Sequence, residues 1–321
     1  MGGLNKIFKK KNALVIGIGG GGDVVSTLPV MRYLKSMDID SIVGGVAWQW
    51  AWTIDSKPGP RSLNEIKNCE KISETVAIVN PKTTIQGTKS EYPEIIVSKL
   101  YNLKVILVDI TKGPLGVVSG LRNASTRLGY DIFVGVDAGG DVLETGKERG
   151  IRSPEADSIM LAAMTKLETP SILAVMGLGL DGELTLQELK KNISKTLQHG
   201  GYFGSRRLTT EDFQDYEKCI ENGVKTGVGS LILDAAKGRN NKAFLNSDIL
   251  YPVEISSFVL RAFFFDPKIV FNYVNAISRR IEKVTNFEEI NQIISQLGIK
   301  TMYDREKDYL AKISKINLHD S

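Results

Sequence analysis

The stretch Ala13-Leu14-Val15-Ile16-Gly17-Ile18-Gly19-Gly20-Gly21-Gly22-Asp23-Val24-Val25 runs from an apolar segment through a glycine-rich turn into a helical pattern over residues 24–37. Strand, turn and helix in that order open an α/β fold. Glycine has no Cβ, so backbone N–H groups in the turn can come close to a ligand. The unpaired donors and positive dipole end at a helix start favour an anion. Gly19, Gly20, Gly21, Gly22 and Asp23 are therefore candidate phosphate- or nucleotide-binding residues.

Outward from this unit the alternation continues. Short β-rich runs fall at 13–18, 41–46, 75–79, 104–110, 132–137 and 171–176. Between them, residues 24–37, 93–102, 115–128, 154–167 and 185–198 carry apolar residues three and four apart. Crossovers of this kind require a mostly parallel, doubly wound sheet with helices on both faces, a Rossmann-like arrangement. The runs at 104–108 and 131–136 are almost unbrokenly apolar, as in central strands covered on both sides. After residue 200 the texture becomes mainly helical, over 210–221, 224–237, 268–283, 287–297 and 304–315. The predicted organisation is a ligand-binding region over 1–200 and a mainly helical C-terminal region over 201–321 packed on it.

Composition excludes several classes. In 321 residues, 41 basic side chains face 37 acidic ones, a net charge of +4 that is too small and too mixed to argue for nucleic-acid binding. The basic cluster Lys6, Lys9, Lys10 and Lys11 reads as a solvated terminal end. The apolar run behind it breaks at glycines, short of a membrane span and without a signal-peptide cleavage site, so a cytoplasmic protein is expected. Cys69 and Cys219 stand far apart and suggest neither a disulfide framework nor a zinc site. A homo-oligomer is compatible with the sequence.

Ligands of open parallel sheets bind outside the carboxyl ends of the strands, and four loops there pair glycine with carboxylate. They are residues 19–23, 109–113, 137–141 and 177–182. Glycines admit main chain to a ligand; carboxylates can hold Mg²⁺ or bond ribose hydroxyls. Any single loop is equally well a set of turn and cap residues; four together point to a small-molecule site. Asp137-Ala138-Gly139-Gly140-Asp141 is the strongest of them, so Asp137 and Asp141 are the candidate catalytic and metal-binding residues. Gly139, Gly140 and Asp181 join the ligand-binding set, and Lys112 would supply a positive charge to a phosphate. Glu144, Glu148, Arg149 and Arg152 fit the rim of the entrance, while Ser153 before Pro154 reads as a helix cap.

Gly17, Gly19 and Gly22 match the spacing G-x-G-x-x-G, but the second strand ends in Gly44-Gly45-Val46-Ala47-Trp48 without the acid that would hold a ribose. No Gly-Lys-Ser/Thr closes the turn as in a P-loop. Trp48, Trp50 and Trp52 follow at once, and Trp48 is a candidate for stacking on a base, with burial in the core as the competing reading. Arg206 and Arg207 read as exposed, and Arg261, inside an apolar run, requires an acid, a sheet edge or a cavity.

The segments Gly17–Val25, Gly44–Trp48 with Pro58-Gly59-Pro60, Val136–Leu143, Ser153–Asp157 and Phe264–Pro267 together resemble an uncharacterised, mainly archaeal domain-of-unknown-function family across nearly the whole chain. The loop at 137–141 is also locally similar to the Asp-Gly-Gly-Asn loop of D-glutamate cyclase-like proteins. The first resemblance implies no mechanism; the second favours a small-molecule site. The reading is an enzyme that binds a nucleotide or phosphorylated metabolite, with Mg²⁺ as a candidate cofactor. The alternatives are a non-catalytic nucleotide-binding regulator and an NAD(P) or flavin oxidoreductase.

Overall fold

A computed structural model describes residues 12–53, 57–244 and 250–319. The basic cluster before residue 12 lies outside them. A nine-stranded sheet is built from β1 (Asn12–Gly17), β2 (Asp40–Val46), β3 (Glu70–Lys71), β4 (Val76–Val79), β5 (Val105–Val108), β6 (Ile132–Ala138), β7 (Ser171–Met176), β8 (Tyr202–Arg207) and β9 (Arg261–Phe265), in the order β8-β9-β7-β6-β1-β2-β5-β4-β3. The five strands from β7 to β5 are mutually parallel. Antiparallel pairs extend them at both edges.

Apolar residues on both faces of the central strands explain the two layers of helices. In β1, Leu14 and Ile16 join one core while Ala13 and Val15 join the other, because successive side chains of a strand point to opposite faces. Helices α1 (Asp23–Lys35) and α2 (Pro93–Tyr101) cover the second face. Helices α3 (Gly113–Leu128) and α4 (Pro154–Lys166) cover the first. Helix α4 is buried on almost every side, which makes its acidic residues Glu155 and Asp157 conspicuous. The remaining helices of six residues or more are α5 (Leu186–Gln198), α6 (Thr210–Glu221), α7 (Gly227–Ala236), α8 (Ala276–Ile281), α9 (Phe287–Ser295) and α10 (Met302–His319), with shorter helical turns over Pro267–Ile269 and Val270–Val274 before α8. No helix of the described residues is long and apolar enough to cross a membrane.

The region after residue 200 is mainly helical, as its pattern predicts, and it also carries strands that the pattern does not show. It supplies β8 and β9 to the same sheet, and a separate hairpin pairs Asn241–Ala243 with Val253–Ile255. Arg261 finds its place near the sheet edge, where its Nε donates to Ser205 Oγ across the β8–β9 pair at 3.0 Å. The helix predicted over 268–283 is interrupted at Asn275. That side chain accepts from Ser278 N to start α8 and donates to Val142 O, so it caps one segment and pins it to the loop after β6.

The chain runs from β1 to β2 on one side, while β6 and β7 lie on the other. The sheet therefore has a switch point between β1 and β6, where loops leaving the strand ends face each other across a crevice.

Candidate functional site

Three of the four predicted loops meet at that switch point. Those after β1, β6 and β7 belong to adjacent strands, whereas the loop after β5 lies beyond β2 and does not join them. Asp109 in that distant loop accepts from Leu63 N, Thr111 N and Thr111 Oγ1, which makes it a staple of its own turn. Lys112 pairs with Glu74 on the surface. Its charge, expected at a phosphate, is here engaged in an exposed ion pair on a loop apart from the other three.

At the switch point, carboxylate oxygens of Asp23, Asp137 and Asp157 all lie within 4.8 Å of one another. Asp23 begins α1 and accepts from the N–H groups of Gly19, at 2.9 Å, and of Ala138. Asp137 ends β6 and accepts from Gly140 N and Val142 N, both at 3.4 Å, and its carboxyl is hydrogen-bonded to that of Asp141. Asp157 comes from the first turns of α4, and its Oδ1 is buried with no hydrogen-bond partner. A Cβ at Gly19 would stand 2.7 Å from Asp23 Oδ2 and 2.9 Å from Asp157 Oδ2, so only glycine lets the backbone pass between the two carboxylates.

The loop after β7 closes the group from the other side. Asp181 Oδ2 accepts from Asp141 N at 3.1 Å, and a Cβ at Gly139 would overlap the Asp181 carboxylate. Gly139 and Gly140 adopt φ values of 135° and 115°, which aim the 137–141 loop back into the cluster. Glu183 is different. It accepts from Arg152 N, Ser153 N and Ser153 Oγ, holding the start of α4 in place. Ser153 is thus structural, although its hydroxyl donates to Glu183 where a helix cap would accept. Arg152 turns toward Asp181 O and Glu183, and Glu144 is buried beside Ser158, so neither forms a rim.

Burial dominates the electrostatics. Burial first, and like charges after it, push Asp23, Asp137 and Asp181 up to about 8: Asp181 acts on Asp23, Asp23 on Asp137, and Glu183 on Asp181. Asp141 and Asp157 are raised well above the ordinary carboxylate range by burial and by their acidic neighbours. Such a group persists only with protons or a cation among its members.

The glycine turn divides between two tasks. Gly19 serves the acidic cluster. Gly21 N donates to Trp48 O at 2.9 Å, a Cβ on Gly21 would meet the Trp50 ring, and one on Gly22 would collide with Thr226. Residues 20–22 therefore admit neighbouring protein segments to the turn. Trp48 is corrected from a base-stacking candidate to a core residue. It is 1% exposed, its Nε1 donates to Glu306 Oε2, and Trp50 and Phe287 pack edge-on against it. The indole was legible as a landmark, but the helix that covers it comes from the far end of the chain.

Sequence reasoning passed over Asp157 as a site residue, although it had quoted the segment containing it. The available signal was an acid within a helix whose other positions are almost wholly apolar or small. Its neighbour Glu155 has a structural task, accepting from Tyr303 N at 3.1 Å and so capping the start of α10.

No curated protein and no solved structure matches this chain. Residues 14–310 match the profile of a family described as a protein of unknown function, DUF1152, and the chain belongs to that family.

Proposed function

We propose that this protein is a divalent-cation-dependent enzyme acting on a phosphorylated metabolite or nucleotide, with the cation held by Asp23, Asp137 and Asp157. The observation that supports this most directly is the buried, unpartnered Asp157 Oδ1 beside two further carboxylates within 4.8 Å. That span suits the oxygen shell of a hard cation, about 4–5 Å across for Mg²⁺ or Ca²⁺. A bound divalent ion would offset the carboxylate charge and polarise a phosphoryl or carbonyl oxygen. A phosphate alone would face uncompensated acids here, which makes the cation the link between this site and an anionic substrate.

Asp141 is the acid–base candidate of this reading. It is 6% exposed and bonded to Asp137, and burial together with its acidic neighbours pushes its carboxyl well above the ordinary carboxylate range, the direction a general acid near neutral pH requires. Asp181 fixes the Asp141 backbone and so positions it. The oxidoreductase alternative loses ground because the Gly19 N–H, a natural contact for a dinucleotide pyrophosphate, is bonded to Asp23.

Titration calorimetry with Mg²⁺ and Mn²⁺ tests the binding step. One site is expected in the unaltered protein, with affinity falling at least 100-fold in Asp157→Asn and in Asp137→Asn. Unchanged cation binding in both folded variants would sink the reading. Product formation from a panel of phosphorylated metabolites and nucleotides then separates an enzyme from a regulator: loss of turnover in Asp141→Asn with cation binding retained is expected.

A further inference from the structure

A cavity of about 470 Å³ lies against the 177–182 loop. Its walls come from three places. Leu178 and Gly182 belong to the loop, Leu184 and Leu186 to the start of α5, and Val253 and Val259 to the hairpin and the turn after it. The volume is that of an ordinary small-ligand pocket, and the lining is mostly apolar.

Two further observations say what would fill it. Lys190 and Lys242 line the cavity together with one acid among the described residues, Glu254. Lys242 lies 4.0 Å from Glu254, whereas Lys190 makes no ion pair with any described residue. Phe258, 42% exposed, is part of the lining. An aromatic side chain left half in water at the edge of an apolar cavity favours an occupant that covers it, and an ammonium with no ion pair among the described residues favours one with a negative end. An amphipathic cation would instead meet Lys190 as a like charge.

We propose that this cavity is a second ligand site, for a small amphipathic anion: an acyl or aromatic body against Leu184, Leu186 and Val253, with its carboxylate or phosphate at Lys190. It is separate from the acidic cluster. Leu178 stands between the two, since a Cβ on Gly140 would lie 3.1 Å from Leu178 Cδ1. Anion binding here requires no divalent cation and does not depend on the reading of the acidic site.

Decanoate, decanol and decylammonium share one apolar body and differ only in the head group, so calorimetry with the three reads both halves of the inference. The full-length protein, without added metal, is expected to bind one decanoate, to bind decanol at least fivefold more weakly, and to give no saturable heat with decylammonium. Lys190→Glu, at an exposed position, should weaken decanoate at least fivefold and leave decanol unchanged. Val253→Trp should abolish both, with circular dichroism confirming the fold; if that variant unfolds, Lys190→Glu and the head-group series carry the test. Asp157→Asn should bind decanoate as the unaltered protein does, which keeps the result distinct from the fate of the cation site. Absence of decanoate binding, equal binding of acid and amine, or an unaffected Lys190→Glu variant overturns the inference.

Discussion

Buried carboxylates stand on either side of β1, one on the β2 side and a cluster on the β6 side, and they are treated in opposite ways. On the β2 side, Glu306 of α10 accepts from Trp48 Nε1 at 3.0 Å, Ala51 N at 2.6 Å and Gly59 N at 2.7 Å. Three donors from one loop converge on one carboxylate, and the C-terminal helix is tied to the strand end. On the β6 side, Asp157 Oδ1 has no donor among the described residues, Asp137 receives two long hydrogen bonds, and the charges that act on these acids are chiefly one another's. A buried carboxylate with a full set of donors holds a fold together. One without them keeps its binding capacity for something else, at a cost in stability.

The comparison breaks most easily at Glu306. Glu306→Ala would leave three donors without their acceptor and is expected to cost about 3 kcal/mol or more in urea unfolding. Asp157→Asn should leave stability within about 1 kcal/mol or raise it, because it removes a raised, unpartnered acid. If the two variants lose similar stability, the distinction between the groups fails.

Trp48→Leu tests whether the β2 side is core. The indole is buried and packed between Trp50 and Phe287, so about 2–3 kcal/mol should be lost, while Trp52→Leu, at a side chain 39% exposed, should cost under about 0.5 kcal/mol. Nucleotide-dependent tryptophan fluorescence in a stable Trp48→Leu variant, lost relative to the unaltered protein, would return Trp48 to the site.

The pH dependence sharpens the other half. Asp23, Asp137 and Asp181 are held at about 8 in the folded protein against an ordinary value of 3.8. The folded state keeps protons that the unfolded chain releases above about pH 4. Their contribution is full below that pH and is lost progressively as pH rises through about 8. Metal-free protein should therefore melt at a lower temperature at pH 9 than at pH 6. Millimolar Mg²⁺ should restore part of the difference, and Asp137→Asn should remove the Mg²⁺ effect. A melting temperature that rises over this interval without metal would contradict the assignment.

The smallest effect belongs to Lys112. Its pair with Glu74 is exposed, and Lys112→Ala should change stability by less than about 0.5 kcal/mol and leave cation and substrate binding unaltered. A large loss of substrate affinity would restore its proposed contact with a phosphate.

Much of the sheet could be read along the chain. All five parallel strands fall within two residues of their predicted bounds at each end, because apolar β-rich runs between helical patterns are a local signal. The edge strands could not be read in the same way. The segment forming β8, whose Arg206 and Arg207 read as exposed, becomes a strand only by pairing with β9, more than fifty residues later. The same distinction separates the site residues. Asp137, Asp141 and Asp181 stood out because acids and glycines directly after a strand have a local meaning, whereas Asp157 and Trp48 did not declare their places. An acid in a helix looks like a first-turn charge until α4 is found buried, and an indole at a strand end looks exposed until α10 covers it.

The sequence alone thus determined the alternation of strands and helices, the edge of the sheet where polar loops emerge, and the glycines and carboxylates those loops carry. All of these rest on residues near one another in the chain. Tertiary structure decided strand order, which brings the loops after β1, β6 and β7 together and leaves the one after β5 apart. It also decided which buried acids receive donors: Glu306 finds its partners some 250 residues away, and Asp157 meets Asp23 and Asp137 across the crevice. Hydrogen bonding and desolvation depend on the distance between atoms in space, and in this fold the chain order does not fix that distance.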